Sequence, residues 1–157
     1  VEDCRPPLGR YPPPMRMALI LVAGLVAGCG KSADPINEAI RENVDRKDGT
    51  PTEKDLAAIT ALYVHDRGIT DLTPLAQLPN LEELWLADNR VSDLLPLAGL
   101  AKLTSLDLQN NRVTDLTPLH ALKQLRNLIL KDNPATAAEI ARLQKALPKC
   151  AIQHNSQ

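Results

Sequence analysis

Few residues in this chain have the type and spacing for chemistry, and those that do favour binding over catalysis. Tyr63 and Trp85 stand one above the other in a repeating pattern, His65 lies beside the first of them, and Glu83 and Asp107 follow at related positions. Carboxylates and an imidazole are the usual acid–base groups, but such work needs an enclosed site that tunes their pKa. No nucleophile elbow, glycine-rich phosphate loop or paired histidine–carboxylate motif accompanies them. An enzyme is therefore not expected, and no cofactor is implied. A second set, Asp66, Asp88, Asn110 and Asp132, recurs at a constant interval. Such a row can hold a cation such as calcium, but is more often solvated or caps turns, so no metal ligand is assigned. Cys4, Cys29 and Cys150 are an odd number spread over three regions, which gives neither a disulfide framework nor a metal-ligand spacing.

The bulk numbers limit what can position these groups. A chain of 157 residues with 44% apolar content is long enough for one domain with its own core. Its 18 basic and 19 acidic residues leave a formal charge of −1, so it offers no basic field to nucleic acid. There is no Phe, and the only aromatics are Tyr11, Tyr63 and Trp85, so the core must be aliphatic. Leucine alone can fill a core when every structural unit buries the same small set of side chains against its neighbours, which points to a repeat.

The segment 1–28 reads as a targeting signal. Residues 1–14 hold five of the 13 prolines and suit no packed element; they are either upstream of a start at Met15 or a long leading region. After Met15-Arg16-Met17 comes an apolar run of about a dozen residues, too short to span a bilayer of about 30 Å but suited to a signal-peptide core. It ends Leu25-Val26-Ala27-Gly28-Cys29, which resembles the lipobox of bacterial lipoproteins. The resemblance implies lipidation of the Cys29 thiol and cleavage before it, with residues 29–34 as a tether. Several acyl chains would give a stable anchor where one would not. Gly30, in place of an Asp, leans the implied location in the bacterial cell envelope to the outer membrane. A cleaved secretory signal that merely ends in a cysteine is the competing reading.

From Ile59 the sequence divides into ITALYVHDRGITDLTPLAQLPN, LEELWLADNRVSDLLPLAGLAK, LTSLDLQNNRVTDLTPLHALKQ and a truncated LRNLILKDNP. The units begin at Ile59, Leu81, Leu103 and Leu125, and the three full ones are equal in length. Leu62, Leu84, Leu106 and Leu128 align, as do Val64, Leu86, Leu108 and Leu130. This pattern resembles the leucine-rich repeat, LxxLxLxxNxVxDLxPLxxLxx, and within it the internalin-type subfamily. The resemblance covers residues 59–134 and implies an α/β fold: a short right-handed solenoid with a parallel concave sheet. The period-two alternation places strands near residues 61–65, 83–87, 105–109 and 127–131. Asn89, Asn111 and Asn133 recur where the chain leaves each strand and suit a buried ladder, with Arg67 in that slot of the first unit. Asp71, Asp93 and Asp115 are placed to cap the tight turns that Pro74, Pro96 and Pro118 help to set.

Solenoid ends need covers. Residues 35–58 are expected to form a helical N-terminal cap, with Ile36, Ile40 and Val44 on one face and a capping box over Thr50-Pro51-Thr52-Glu53 opening a second helix. Residues 135–157 are expected to form a helical C-terminal cap. Its box runs from Thr136 to Glu139, its apolar face is Ile140, Leu143 and Leu147, and Pro148 stops it. Cys150 and Ile152 are expected to close the last repeat, with Cys150 as a buried thiol of that cap.

Residues alternating with the core leucines point out of the sheet, which makes Tyr63, His65, Glu83, Trp85, Asp107, Gln109, Ile129 and Lys131 the expected partner-binding set. Tyr63 and Trp85 share one column on adjacent strands, and both are residue types that dominate binding energy at interfaces. The expected function is a membrane-anchored module for an unknown protein or peptide. The alternatives are a structural envelope lipoprotein without a specific ligand, in which the aromatic pair only stiffens the sheet, and a glycan-binding surface. Mass spectrometry of the mature protein should find an acylated N-terminus at Cys29; an unmodified Cys29, or a start elsewhere, removes the tether.

Overall fold

The computed structural model describes residues 34–44 and 50–155, all within one unit of the chain. The expected signal segment 1–28, and with it Cys29, lies outside the described residues. The repeat dictates the rest. The first unit buries Ile59, Leu62, Val64, Ile69, Leu72, Leu75 and Leu78. The next buries the equivalent positions from Leu81 to Leu100, and the third those from Leu103 to Leu122. Leu84, Leu97 and Leu119 have no accessible surface at all. Burying a leucine stabilises by about 1.5–3 kcal/mol, so the stack of units is the main source of stability.

Five parallel strands form one sheet in sequence order: β1 (Ala61–Tyr63), β2 (Glu83–Trp85), β3 (Ser105–Asp107), β4 (Asn127–Ile129) and β5 (Ala151–Gln153). They are shorter than the alternation suggested, but the backbone ladder runs on past them. Val64 N–H donates to Trp85 O at 2.9 Å and Asp66 N–H to Ala87 O at 3.1 Å, with the same pair repeated from β2 to β3 and from β3 to β4. The chain returns through 3-10 helical turns at Thr73–Gln77, Leu95–Gly99 and Thr117–Ala121, each with proline in its first turn. Asp71, Asp93 and Asp115 each accept the N–H two residues on at 2.8 Å, as their spacing suggested. Bonds from Thr73 and Thr117 hold the Asp71 and Asp115 carboxyls below their ordinary pKa. Where those two threonines stand, the middle repeat has Leu95, 66% exposed.

The turn out of each strand explains both polar rows. Asp66, Asp88, Asn110 and Asp132 have φ between 50° and 60°, the left-handed region that Asp and Asn tolerate better than other non-glycine residues. Their residue type is thus accounted for by the backbone. One residue on, the asparagine ladder satisfies what the turn leaves open. Asn89 Oδ1 accepts Arg67 N–H at 3.1 Å and Ile69 N–H at 3.0 Å, while its amide donates to Val64 O at 2.7 Å and Leu86 O at 2.9 Å. Asn111 and Asn133 repeat this, accepting Val91 N–H at 2.9 Å and Val113 N–H at 3.0 Å. Every rung therefore ties one unit to the one before it.

Helix α1 (Pro35–Asn43) covers the first unit, with Ile36, Ala39 and Ile40 buried. Asp34 caps it by accepting Ile36 N–H at 3.0 Å, and Pro35 opens it. Helix α2 (Glu53–Ala58) corrects one expectation. Its N-cap is Thr52, whose box partner is Asp55, and not Thr50 with Glu53. Both threonines have an acidic residue three positions on; closing the box at Thr52 leaves Pro51 outside the helix and sets Leu56 against the core.

Helix α3 (Ala137–Ala146) starts at Thr136, which accepts Glu139 N–H at 3.3 Å, and buries Leu143 and Leu147 with Ile140 half-buried. The expected helical cap over 135–157 is, however, not purely helical. After α3 the chain adds β5, with Leu128 opposite Ile152 and Asn127 opposite Ala151. The step from Asn127 to Ala151 is longer than the step from Ser105 to Asn127, because α3 replaces a short 3-10 turn on the return path. Cys150, 4% exposed, sits in the core as expected, and burial pushes its thiol pKa up against the pull of Arg126.

The ladder should be a main support of the fold. Asn111→Ala orphans Val91 N–H, takes from Leu86 O one of its two asparagine donors, and is expected to lower the unfolding free energy by about 1–3 kcal/mol in urea titration. Exposed Thr114→Ala should change it by less than about 0.5 kcal/mol. Equal effects would mean that the ladder carries no stability.

Candidate partner-binding surface

Parallel register without slippage is what makes columns on the outer sheet face. Tyr63 pairs with Trp85 and Trp85 with Asp107, then Asp107 with Ile129 and Ile129 with Gln153. Since neighbouring parallel strands lie about 4.8 Å apart, side chains in one column must touch or stack. The rings of Tyr63 and Trp85 do so, with centroids 6.1 Å apart and planes 12° from parallel. His65 leans on the same indole, centroid to centroid 6.5 Å, tilted 51°. The Tyr63 hydroxyl donates to Glu83 Oε2 at 3.5 Å. Tyr63 remains 39% exposed, whereas Trp85 is half-buried between its neighbours.

Asp107 departs from the open setting expected of it. It is buried, 9% exposed, and its Oδ1 accepts Gln109 N–H at 2.9 Å. Burial raises its pKa, the Gln109 bond and His65 oppose that, and Asp88 adds to it by like-charge repulsion. His65 is no ordinary surface histidine either. Burial lowers its pKa below the ordinary 6.5 although Asp107 and Asp88 both pull it up. In both groups desolvation of the charged form outweighs mutual attraction, so the pKa of His65 falls and that of Asp107 rises. The indole N–H of Trp85 and Nε2 of His65 are enclosed and meet no hydrogen-bond partner among the described residues.

Of the eight expected residues, Tyr63, His65, Glu83, Trp85 and Asp107 come together. Gln109 joins them through its backbone. Ile129 and Lys131 are on the same face but further along it, at β4, with Lys131 exposed. Asp88, set aside as part of the turn row, acts electrostatically on both His65 and Asp107 and belongs with the cluster; its position in the turn after Trp85 was the available signal. Gln153 on β5 extends the central column by one position, hidden from the sequence because its interval breaks the period. The surface is a partly buried aromatic–imidazole–carboxylate cluster on one part of the outer sheet face.

Two titrations test this electrostatic picture. By NMR, His65 should titrate below 6.5, and Asp107→Asn should lower it further by removing the attraction that raises it. A raised Asp107 pKa means stability that is present below the ordinary 3.8 and lost as pH rises through the folded value. Asp107→Asn should therefore raise Tm at neutral pH and lose that advantage in acid. His65 acts in the opposite sense, with stability lost as pH falls below 6.5. A His65 pKa unmoved by Asp107→Asn would contradict the coupling.

Comparison with known proteins gives this geometry its context. A family model described as leucine-rich repeats, two copies, matches residues 59–99 and 101–141. No curated protein matches the sequence significantly. Among solved structures, an internalin of Listeria monocytogenes, InlF, superposes with TM-score 0.66 at 30% identity over 76% of this chain. A leucine-rich-repeat protein of Leptospira interrogans gives 0.59 at 36% identity over 64%, and the functional domain of InlJ from Listeria monocytogenes gives 0.56 at 27% over 66%. The chain spans only 35%, 26% and 22% of the length of these three. Domains of this kind are typically protein-interaction modules rather than enzymes. With its repeats matched over more than half its length and its fold shared with the internalins, this chain belongs to the leucine-rich-repeat family.

Proposed function

We propose that this chain is a membrane-anchored binding module that holds a protein or peptide partner on the outer face of its sheet. The observation that carries the reading is the stacked pair of Tyr63 and Trp85, with Tyr63 presented to solvent where core packing does not call for it. Large rigid aromatics with a polar tip contribute most of the energy at many interfaces. The anchor is a lipid on Cys29, supported by the apolar run and small residues before it, and the location is the bacterial envelope. No helix among the described residues is long and apolar enough to cross a membrane. Five strands offer about fifteen outward positions, fewer than the roughly 20–30 residues of a standard interface, so one copy binds weakly and many copies on one membrane bind well.

Replacing Tyr63 and Trp85 together with Ala tests the reading. The double variant should fold, as judged by circular dichroism and urea unfolding, and lose capture of the partner that the parent chain retains from envelope extracts. Undiminished capture by the folded variant would remove the aromatic pair from the site. Release of the captured material by free sugar would turn the reading to a glycan surface.

A further inference from the structure

We propose that the outer sheet face docks a cationic segment of its partner, with a lysine or arginine side chain stacked on the Tyr63–Trp85 pair among Glu83, Asp88 and Asp107. This rests on the binding role assigned to the face above and names the chemistry of its partner.

Among the described residues, the outward charge around the two aromatics is one-sided. Glu83 precedes Trp85 by two residues on β2 and accepts from the Tyr63 hydroxyl, while Asp107 stands directly opposite Trp85 on β3. Asp88 follows in the turn, close enough to repel Asp107. The adjacent basic group, His65, offsets them little, because burial lowers its pKa and so disfavours its charged form. In the outward columns of the four repeat strands the one lysine or arginine is Lys131, after β4 and two strands from Trp85. Yet the whole chain is nearly balanced, 18 basic against 19 acidic residues, so this is local segregation and not a general excess.

A cation relieves the repulsion between Asp88 and Asp107 and is also drawn to an aromatic face, most strongly to an indole. A metal ion fits less well, since no three carboxylate, histidine or cysteine groups among the described residues converge on one point. A guanidinium or ammonium on a long stem needs no such convergence. It lies flat on the exposed ring and reaches carboxylates that stand apart. Complementary charge of this kind also sets partner choice and speeds encounter.

Trp85 is the only tryptophan, so its fluorescence reads this surface alone. The full chain is titrated with a blocked pentapeptide of alternating glycine and arginine, with its citrulline counterpart of equal shape and no charge, and with its glutamate counterpart. Calcium chloride alone is a fourth arm. The arginine peptide should shift Trp85 emission saturably, and the effect should fade as salt approaches about 1 M, where charges are screened within about 3 Å. The citrulline and glutamate peptides should bind more weakly. Glu83→Gln should weaken arginine binding by roughly threefold to tenfold, the scale of one partly exposed charge contact. Ser105→Lys, which sets a competing cation opposite Glu83 without altering the aromatic pair, should do the same, so the test does not hang on one variant folding. Equal binding of the citrulline peptide, no response to any peptide, or a saturable response to calcium in place of the peptide would each overturn the proposal. If partner capture still depends on Tyr63 and Trp85 in those cases, the binding face stands and only its charge preference fails. If capture is indifferent to the pair, both fall.

Discussion

Each repeat has to solve the same problem: its chain leaves a strand through a left-handed turn, and the turn exposes backbone donors and acceptors inside a core made of leucine. An unpaired buried backbone group costs about as much as the hydrogen bond it lacks, and an aliphatic interior offers no partner. The asparagine one unit further on supplies it. Asn89 accepts from Arg67 and Ile69 and donates to Val64 and Leu86, and its equivalents do the same along the stack. Because each rung reaches from one unit to the next, the ladder fixes the distance between units and the register of the strands together. The columns on the outer face follow from it. Tyr63 stacks on Trp85 because the register that Asn89 and the leucines hold sets the two residues opposite each other.

That division of labour leaves the outer face free. Inward positions are held to leucine, isoleucine and valine by close packing, where a missing methylene is felt. Outward positions carry no such demand, and in this chain they hold aromatic, imidazole and carboxylate side chains together. Asp107 is buried with a raised pKa, His65 is partly buried with a lowered one, and the indole N–H finds no partner among the described residues. Polar groups kept at a cost on a sheet face, beside an exposed tyrosine, fit a surface shaped for contact with something else. On the opposite side the proline turns are capped locally by Asp71, Asp93 and Asp115.

The ends show how far the pattern bends. Where the first unit lacks a predecessor, Arg67 takes the asparagine slot and turns outward to pair with Glu42 of α1 at 3.2 Å, joining cap to repeat. At the other end α3 replaces the tight return turn, and the sheet gains β5 at a longer interval. The capping devices are local, a threonine or aspartate with a carboxylate or N–H nearby, so they shift by a residue or two without disturbing the core. The box at Thr52 instead of Thr50 is such a shift.

The sequence by itself determined the period, the leucine core, the asparagine ladder and the column that joins Tyr63 to Trp85, because all of these repeat and each repetition adds to the same signal. Only the tertiary structure decided what happens once. β5 was hidden because a short alternation behind a helix carries too little pattern, and its longer interval breaks the phase. The left-handed backbone at Asp66, Asp88, Asn110 and Asp132 accounts for a row that spacing alone left open between turn and cation. The enclosure of Asp107 and His65 depended on which side chains lean over them, and burial is a property of neighbours in space. Periodicity says which way a side chain points; what covers it, and so whether its charge survives, is settled only when the strands are stacked.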